Sequence, residues 1–443
     1  MSAASSSVRA QPGATTPADG AASGPGMLIV GASQSGVQLA GSLRALGYEG
    51  RLTLLGDEDH RPYQRPPLSK AFLHGDMTRD QMVLRNADYW AEHRINLVRN
   101  ERIERVERSA GGSGTAFAAS GASWDFDRLV LAVGARARRL DVPGEDLPGT
   151  LYLRNADDAL ALRAQVPQAQ QIVIVGGGFV GLETALSLRK LGKEVTVLAH
   201  GERLIGRAVG RETSAYFLRA HRERGVQIRL NTGVRRILGT EDGDGADRVS
   251  GVETTGGEVI PAQIVLLGIG AVPNTELAES MGLLCEDGVV VDDQAVASDG
   301  TTLAVGDCAN LPNPLPGAEP GDRVRLESVN NAIEHAKVAA YSLTGRQGEY
   351  AGIPWFWSDQ GDLKLQIAGL SRGYDRTLLR HDGTGDRFSM LYYAGDQVVA
   401  ADCVNVPLDF MAVRAALAQG ATIPYEQATD TSVRLKTLIT TQT

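Results

Sequence analysis

Five glycines at two strand-to-helix turns are the residues whose spacing speaks most directly of chemistry. "GASQSG" (31–36) follows the apolar run Met27-Leu28-Ile29-Val30, and "GGGFVG" (176–181) follows Ile172-Val173-Ile174-Val175. The second reads Gly176-x-Gly178-x-x-Gly181. The first keeps Gly31 and Gly36 but has Ser33 at its middle position. In such a turn the first glycine allows the tight bend and the second lets the backbone approach a pyrophosphate. The third lets helix pack on strand, and the helix N-terminus faces the phosphate charge. Serine is small and can donate to a phosphate oxygen, so Ser33 fits a working turn with one imperfect contact.

The elements that must position these turns are legible around them. Each turn joins two β-rich runs through a helix with inward apolar residues, Val37, Ala40 and Leu43 in the first, Leu182, Ala185 and Leu186 in the second. This strand–turn–helix–strand context makes a dinucleotide fingerprint credible. Two copies imply two nucleotide sites, one for a flavin dinucleotide and one for a nicotinamide. After the first copy Asp57-Glu58 is placed to bind a ribose hydroxyl; the equivalent place in the second holds Ala199, followed by His200. Without the acid, discrimination between NADH and NADPH should weaken. His200 and Arg203 could approach a 2′-phosphate, with Glu202 offsetting them.

Further segments carry candidate groups. "TTLAVGDCAN" (301–310) is an apolar strand ending in Gly306-Asp307, whose carboxylate can accept hydrogen bonds from a flavin's polyol chain. "RPYQRPPLSK" (61–70) is proline-stiffened and ends in Lys70, an ammonium able to stabilise the charge of a reduced flavin. Glu183 reads as a residue of the second helix's start, complementing its dipole and positioning the nicotinamide. The runs 129–140 and 264–274 are apolar strands ending in glycine, suited to crossings between two lobes.

Composition bounds the rest. A chain of 443 residues exceeds a single core and suits two or three domains. With 43% hydrophobic and 22% charged residues it has the balance of a soluble globular protein. No apolar run approaches the roughly 20 residues of a membrane span. A net charge of −9 argues against nucleic-acid or anionic-membrane partners. Cys285, Cys308 and Cys403 are far apart and form no zinc or cluster spacing, so no metal site is expected. Cysteine usage suits a reducing cytoplasm. Residues 1–26, rich in Ser, Ala, Gly and Pro, read as a disordered tail without the apolar core of a secretory signal.

Taken together, "RPPLSK", "GGGFVGLE", "GIGAVPN", "AVGDCA", "RLESVNNA" and "PWFWSDQ" resemble the putidaredoxin reductase-like, FAD-dependent ferredoxin reductases. These serve bacterial Rieske-type dioxygenases and haem-thiolate monooxygenases. The resemblance runs from about residue 27 to the C-terminal region. It implies an α/β fold with two Rossmann-like, glutathione-reductase-like nucleotide-binding domains and a C-terminal α+β domain. The expected divisions are an FAD domain in two parts (27–140 and 269–347), an NAD(P)H domain (141–268) and a C-terminal domain (348–443). By motif, FAD contacts fall on Gly31, Ser35, Gly36, Asp57, Lys70, Ile103, Gly134, Arg154, Asp307 and Val329. Nicotinamide contacts fall on Gly176, Gly178, Gly181, Glu183 and Gly270. Trp357 lies near the flavin on the electron-exit side, and Lys70, Glu183 and Trp357 are the expected catalytic residues. NADH is the expected donor, with NADPH possible, and a [2Fe–2S] ferredoxin the expected acceptor. Arg65, Arg325, Lys364 and Arg372 are candidates for a local basic patch that receives it. Two rivals share the fold. A disulfide-type reductase needs a redox cysteine beside the flavin, and neither "RPYQRPPLSK" nor the helix after Gly36 supplies one. A flavoprotein acting mainly through interactions, as in apoptosis-inducing-factor-like proteins, would be favoured by a basic nucleic-acid-binding surface, and the net charge of −9 counts against that.

Overall fold

The computed structural model describes residues 24–441 except 242–246, 316–317, 382 and 384; all but the last three residues of the expected tail lie outside the described residues. Short apolar runs ending in glycine become fully buried parallel strands, because each sheet is covered on both faces. The first parallel sheet has the order Leu303–Ala304, Arg128–Leu131, Met27–Val30, Leu52–Leu55, Asn96–Val98. The second has the order Gln227–Arg229, Glu194–Leu198, Gln171–Val175, Ile264–Leu267, Thr150–Tyr152. Each thus places a glycine turn at the carboxyl end of its central strand.

The helices after the turns run Gln34–Ala45 and Phe179–Lys190, and all six apolar residues read as inward-facing are buried. Burial of each larger side chain contributes about 1.5–3 kcal/mol. Helix Val329–Leu343 packs across Gln34–Ala45 and starts at the same cleft, with Ser328 Oγ accepting from the Asn331 N–H. Since the second helix begins at Phe179, Glu183 sits a full turn inside it and not at its start. The dipole role read from the sequence is therefore displaced. The runs 129–140 and 264–274 leave their sheets side by side and pair as the antiparallel ribbon Ala135–Ala137 with Ala271–Pro273.

The C-terminal region is a five-stranded antiparallel sheet ordered Trp355–Gln360, Leu363–Gly369, Gln397–Val404, Phe388–Ala394, Arg376–His381. Helix Pro407–Ala418 covers it, burying Phe410, Val413 and Ala416. Its edge strand Trp355–Gln360 lies against helix Phe179–Lys190. The architecture is the expected one, two α/β units and an α+β unit. Among the described residues no helix is long and apolar enough to cross a membrane.

Candidate active site

One cleft of about 1550 Å³ runs past both glycine turns and ends at Trp355, Phe356 and Trp357 of the C-terminal sheet. A pocket for one small ligand measures roughly 300–1,000 Å³, so this one has room for two extended molecules. Gly31 and Gly176 hold φ of +117° and +120°, left-handed values that a side chain would strain. A Cβ on either would also meet a carbonyl oxygen, of Ala132 or Gly268, at 2.1 Å. Three helix N-termini, at Gln34, Phe179 and Val329, open onto the cleft. Their first-turn N–H groups lack intrahelical acceptors and favour anionic groups. At Gly178 an added Cβ would meet nothing within 4 Å, so the backbone there is bare towards the cleft. These features fit two dinucleotides.

Most of the expected residues converge here. Ser35, Asp57, Lys70, Gly134, Arg154, Glu183, Gly270, Asp307, Val329 and Trp357 line the cleft together with Gly31, Gly176 and Gly178. Gly36, Gly181 and Ile103 do not. The first two lie behind their turns, where a Cβ would strike the carbonyl oxygens of Gly31 and Gly176, which is the helix-on-strand role of the third glycine. Ile103 is a core residue of strand Ile103–Arg108, packed in the cluster with Leu28, Val30 and Leu55.

The polar groups form two knots. In the first, Lys70 Nζ donates to Glu183 Oε2 at 2.7 Å, beside Ser69 Oγ at 2.6 Å. Ser358 Oγ donates to Glu183 Oε1 at 2.8 Å and receives Gln360 Nε2 at 3.1 Å. The proline-stiffened segment, the second helix and the C-terminal edge strand thus meet on one buried carboxylate. In the second, Arg154 Nη2 donates to Asp307 Oδ2 at 2.9 Å and its Nε to Ala135 O at 2.8 Å. Arg65 donates to Arg154 O at 2.8 Å and to Glu58 Oε1 at 2.6 Å. Tyr63 Oη donates to Glu58 Oε2 at 2.6 Å and accepts from the Ala156 N–H, and burial pushes its phenol well above the usual range. Asp57 stays exposed in the cleft while Glu58 is consumed by this knot.

Several expectations are corrected. Arg65 braces the site and is not a free docking charge. Arg325 donates to Asp287 Oδ1 at 3.0 Å and to Glu327, so it too is neutralised. Lys364 is exposed but faces Asp359 across paired strands; Arg372 is exposed at the cleft. Arg203 donates to Gly206 O at 2.6 Å and Val209 O at 2.9 Å, so both its terminal nitrogens are engaged in folding its own loop. Arg207, in the same loop, lines the cleft, is exposed and has no partner among the described residues. Sequence reasoning missed Ser69, Ser358 and Gln360, although they sit inside the quoted "RPPLSK" and "PWFWSDQ". It also missed Tyr63, Arg207 and the bracing role of Arg65.

All three cysteines are free, and none is among the cleft-lining residues. Cys308 is fully buried, which pushes its thiol up to about 11. No group of three or more His, Cys, Asp or Glu side chains able to hold a metal occurs among the described residues.

The whole-chain comparisons agree with this geometry. Residues 355–439 match the family described as reductase C-terminal. Rhodocoxin reductase of Rhodococcus erythropolis is 43% identical over 413 residues, covering 93% of this chain and 94% of the relative. The crystal structure of the ferredoxin reductase for the CYP199A2 system from Rhodopseudomonas palustris superposes with a TM-score of 0.87 at 38% identity, covering 93% of this chain and 99% of that one. The covalent putidaredoxin reductase–putidaredoxin complex gives 0.87 at 36% identity, covering 93% of this chain and 97% of that one. Residues 26–336, more than half the chain and both glycine turns, match the model described as pyridine nucleotide-disulphide oxidoreductase, and the chain belongs to that family.

Proposed function

We propose that this chain is an NAD(P)H-dependent flavoprotein reductase that passes electrons through FAD to a [2Fe–2S] ferredoxin supplying an oxygenase. The observation that carries the reading is the single cleft crossing both glycine turns and closing on the C-terminal tryptophans. When bound, FAD supplies two-electron acceptance from the reduced nicotinamide and one-electron donation to the ferredoxin.

The chain's own residues bind, orient and exclude water. Gly31, Ser35 and Gly36 present the first helix N-terminus to the FAD pyrophosphate, and Asp57 takes a ribose hydroxyl. Gly134, Arg154, Asp307 and Val329 hold the flavin half, and Ile103, read as an FAD contact by motif, stands behind the cleft wall in the core. Gly176, Gly178, Gly181 and Gly270 form the nicotinamide-nucleotide side. Lys70 sets a positive charge beside the flavin ring, and Glu183 fixes that ammonium while its own charge is satisfied by Ser69 and Ser358. Trp357 walls the exit. The reading divides the chain into an FAD domain in two parts (27–140 and 269–347), an NAD(P)H domain inserted between them (141–268) and a C-terminal domain (348–443). A cytoplasmic role in aromatic-hydrocarbon catabolism goes with the same reading.

The test is NADH-driven cytochrome c reduction by the purified protein, with and without an added [2Fe–2S] ferredoxin. A yellow protein with about one FAD per chain and strong ferredoxin dependence is expected. A colourless protein that cannot be reconstituted with FAD, or a rate indifferent to ferredoxin, overturns the reading.

A further inference from the structure

The loop from Ala199 to Gly210 forms one wall of the cleft beside the second glycine turn, contributing Ala199, His200 and Arg207 among others. It is a folded unit and not a slack connection. Arg203 ties Gly206 O and Val209 O, the Ile205 N–H donates to Gly177 O at 2.9 Å inside the glycine turn, and Ser214 Oγ donates to Leu204 O at 2.7 Å. Ile205 is held at φ +51°, a strained value for a β-branched residue that persists only where surroundings fix it.

What fixes the far end comes from a different unit. The loop closes at Gly210, the N-cap of helix Arg211–Glu223. The Gly210 N–H donates to Tyr392 Oη at 2.8 Å, with Asp402 Oδ2 at 3.4 Å, and Tyr392 Oη in turn donates to Asp402. Tyr392 and Asp402 are both completely buried on neighbouring strands of the C-terminal sheet. The approach is so close that a Cβ on Gly210 would meet Tyr392 Oη at 2.5 Å. At the other end of the same helix Arg224 forks onto Asp362 at 2.8 Å and reaches Asp386 at 2.9 Å. Between the ends Tyr216 and Phe388 meet edge to face at 4.8 Å. The helix is therefore clamped along its length to the C-terminal sheet, whose edge strand also carries Trp357.

We propose that Tyr392 and Asp402 are positioning residues for the nicotinamide nucleotide, acting through Gly210 to set the 199–210 loop. The C-terminal sheet then serves the donor side of the reaction as well as the electron exit. This rests on the reading of the second glycine turn as the nicotinamide site. The loop conformation that meets the nucleotide is prepaid by the buried hydroxyl and carboxylate, so losing them should weaken nucleotide binding with the FAD site intact.

The experiment is steady-state titration of FAD-loaded protein with NADH and, separately, with ferredoxin. Tyr392→Phe leaves a buried N–H without its best acceptor and should raise KM for NADH by about three- to tenfold. KM for ferredoxin and the bound-flavin absorbance should stay as in the wild type. Asp402→Leu should act in the same direction, whereas Asp402→Asn keeps an acceptor oxygen and should restore KM to within about twofold. Asp362→Asn loosens only the distal end of the helix, so it should lower Tm without moving KM for NADH. An unchanged KM in Tyr392→Phe, or an equal rise in Asp362→Asn, overturns the proposal. A wild-type protein whose flavin NADH does not reduce would overturn the functional reading itself, and this one with it.

Discussion

Ser33 occupies the place of a glycine, yet its φ of −104° and ψ of −157° are extended backbone open to any residue. The substitution therefore carries no conformational strain, and its hydroxyl accepts from Arg65 Nε at 3.4 Å. Asp307 shows the opposite case, a residue whose charge is already committed. Its Oδ2 receives Arg154, and the remaining acceptor capacity faces the cleft. Asp307→Ala removes a charge-assisted bond worth about 1.5–3 kcal/mol and leaves Arg154 without its carboxylate. Fluorescence titration of the apoprotein should show FAD binding weakened by about 10- to 100-fold. Unchanged affinity would mean the polyol chain is held elsewhere. Nucleotide choice also belongs to single residues. Ala199 is buried at the end of strand Glu194–Leu198 and can neither bind a 2′-hydroxyl nor repel a 2′-phosphate. With Arg203 tied to its own loop, Arg207 joins the exposed His200 as a group on the cleft wall able to meet that phosphate. Wild type should use NADPH measurably. Arg207→Ala should depress kcat/KM for NADPH alone, and Ala199→Glu should raise the preference for NADH by about 10- to 100-fold. A wild type that already rejects NADPH by more than about a thousandfold, roughly 4 kcal/mol, would place selection at another residue.

Elements were legible where one local rule decided them. Apolar runs ending in glycine gave the parallel strands, and the 3.6-residue period gave the two helices with their buried faces. What was not legible were partnerships between segments far apart in the chain. Glu183 could be found as a carboxylate on a helix, but its contacts with Lys70, Ser69 and Ser358 span three segments brought together only by folding. Arg65 looked like a spare charge for the same reason. Asp402 left no local signal, being one acid among apolar neighbours in strand Gln397–Val404. Burial raises its carboxyl to about 6, above the ordinary value near 3.9. The protonated acid is thus favoured by folding; that stabilisation is complete below about pH 4 and is lost as pH rises through about 6, up to about 3 kcal/mol. Buried His335, held down to about 4 by desolvation, acts oppositely in the same range, so only a difference isolates Asp402. The Tm of Asp402→Asn minus that of wild type should rise by a few degrees between pH 4.5 and pH 7.5. A difference that stays flat with pH would mean that this carboxyl titrates as an ordinary one.

At the scale of the whole molecule the problem is how a chain of net charge −9 would receive a ferredoxin that is itself acidic. Global attraction is unavailable, so steering must be local to the exit side of the cleft. Of the cations suggested by sequence, Arg65 and Arg325 are neutralised inside the protein and Lys364 faces Asp359. Arg372 remains exposed at the cleft mouth, and Arg414 adds a second charge by lying 5.4 Å over the ring of Trp355, itself part of the cleft wall. Two positive charges beside the tryptophans can dominate over distant carboxylates because the Debye length is about 10 Å at 0.1 M salt. Close opposite charges on the two proteins then gain more from proximity than the net charges lose. Raising NaCl from about 50 to 500 mM screens that local attraction and should lower kcat/KM for ferredoxin by about tenfold, with the loss in association rate. Arg372→Gln should flatten the salt dependence, and the double variant with Arg414→Gln should nearly abolish it. The opposite sign, ferredoxin reduction that speeds up with salt, would show that repulsion between two acidic bodies governs the encounter and that this patch does not.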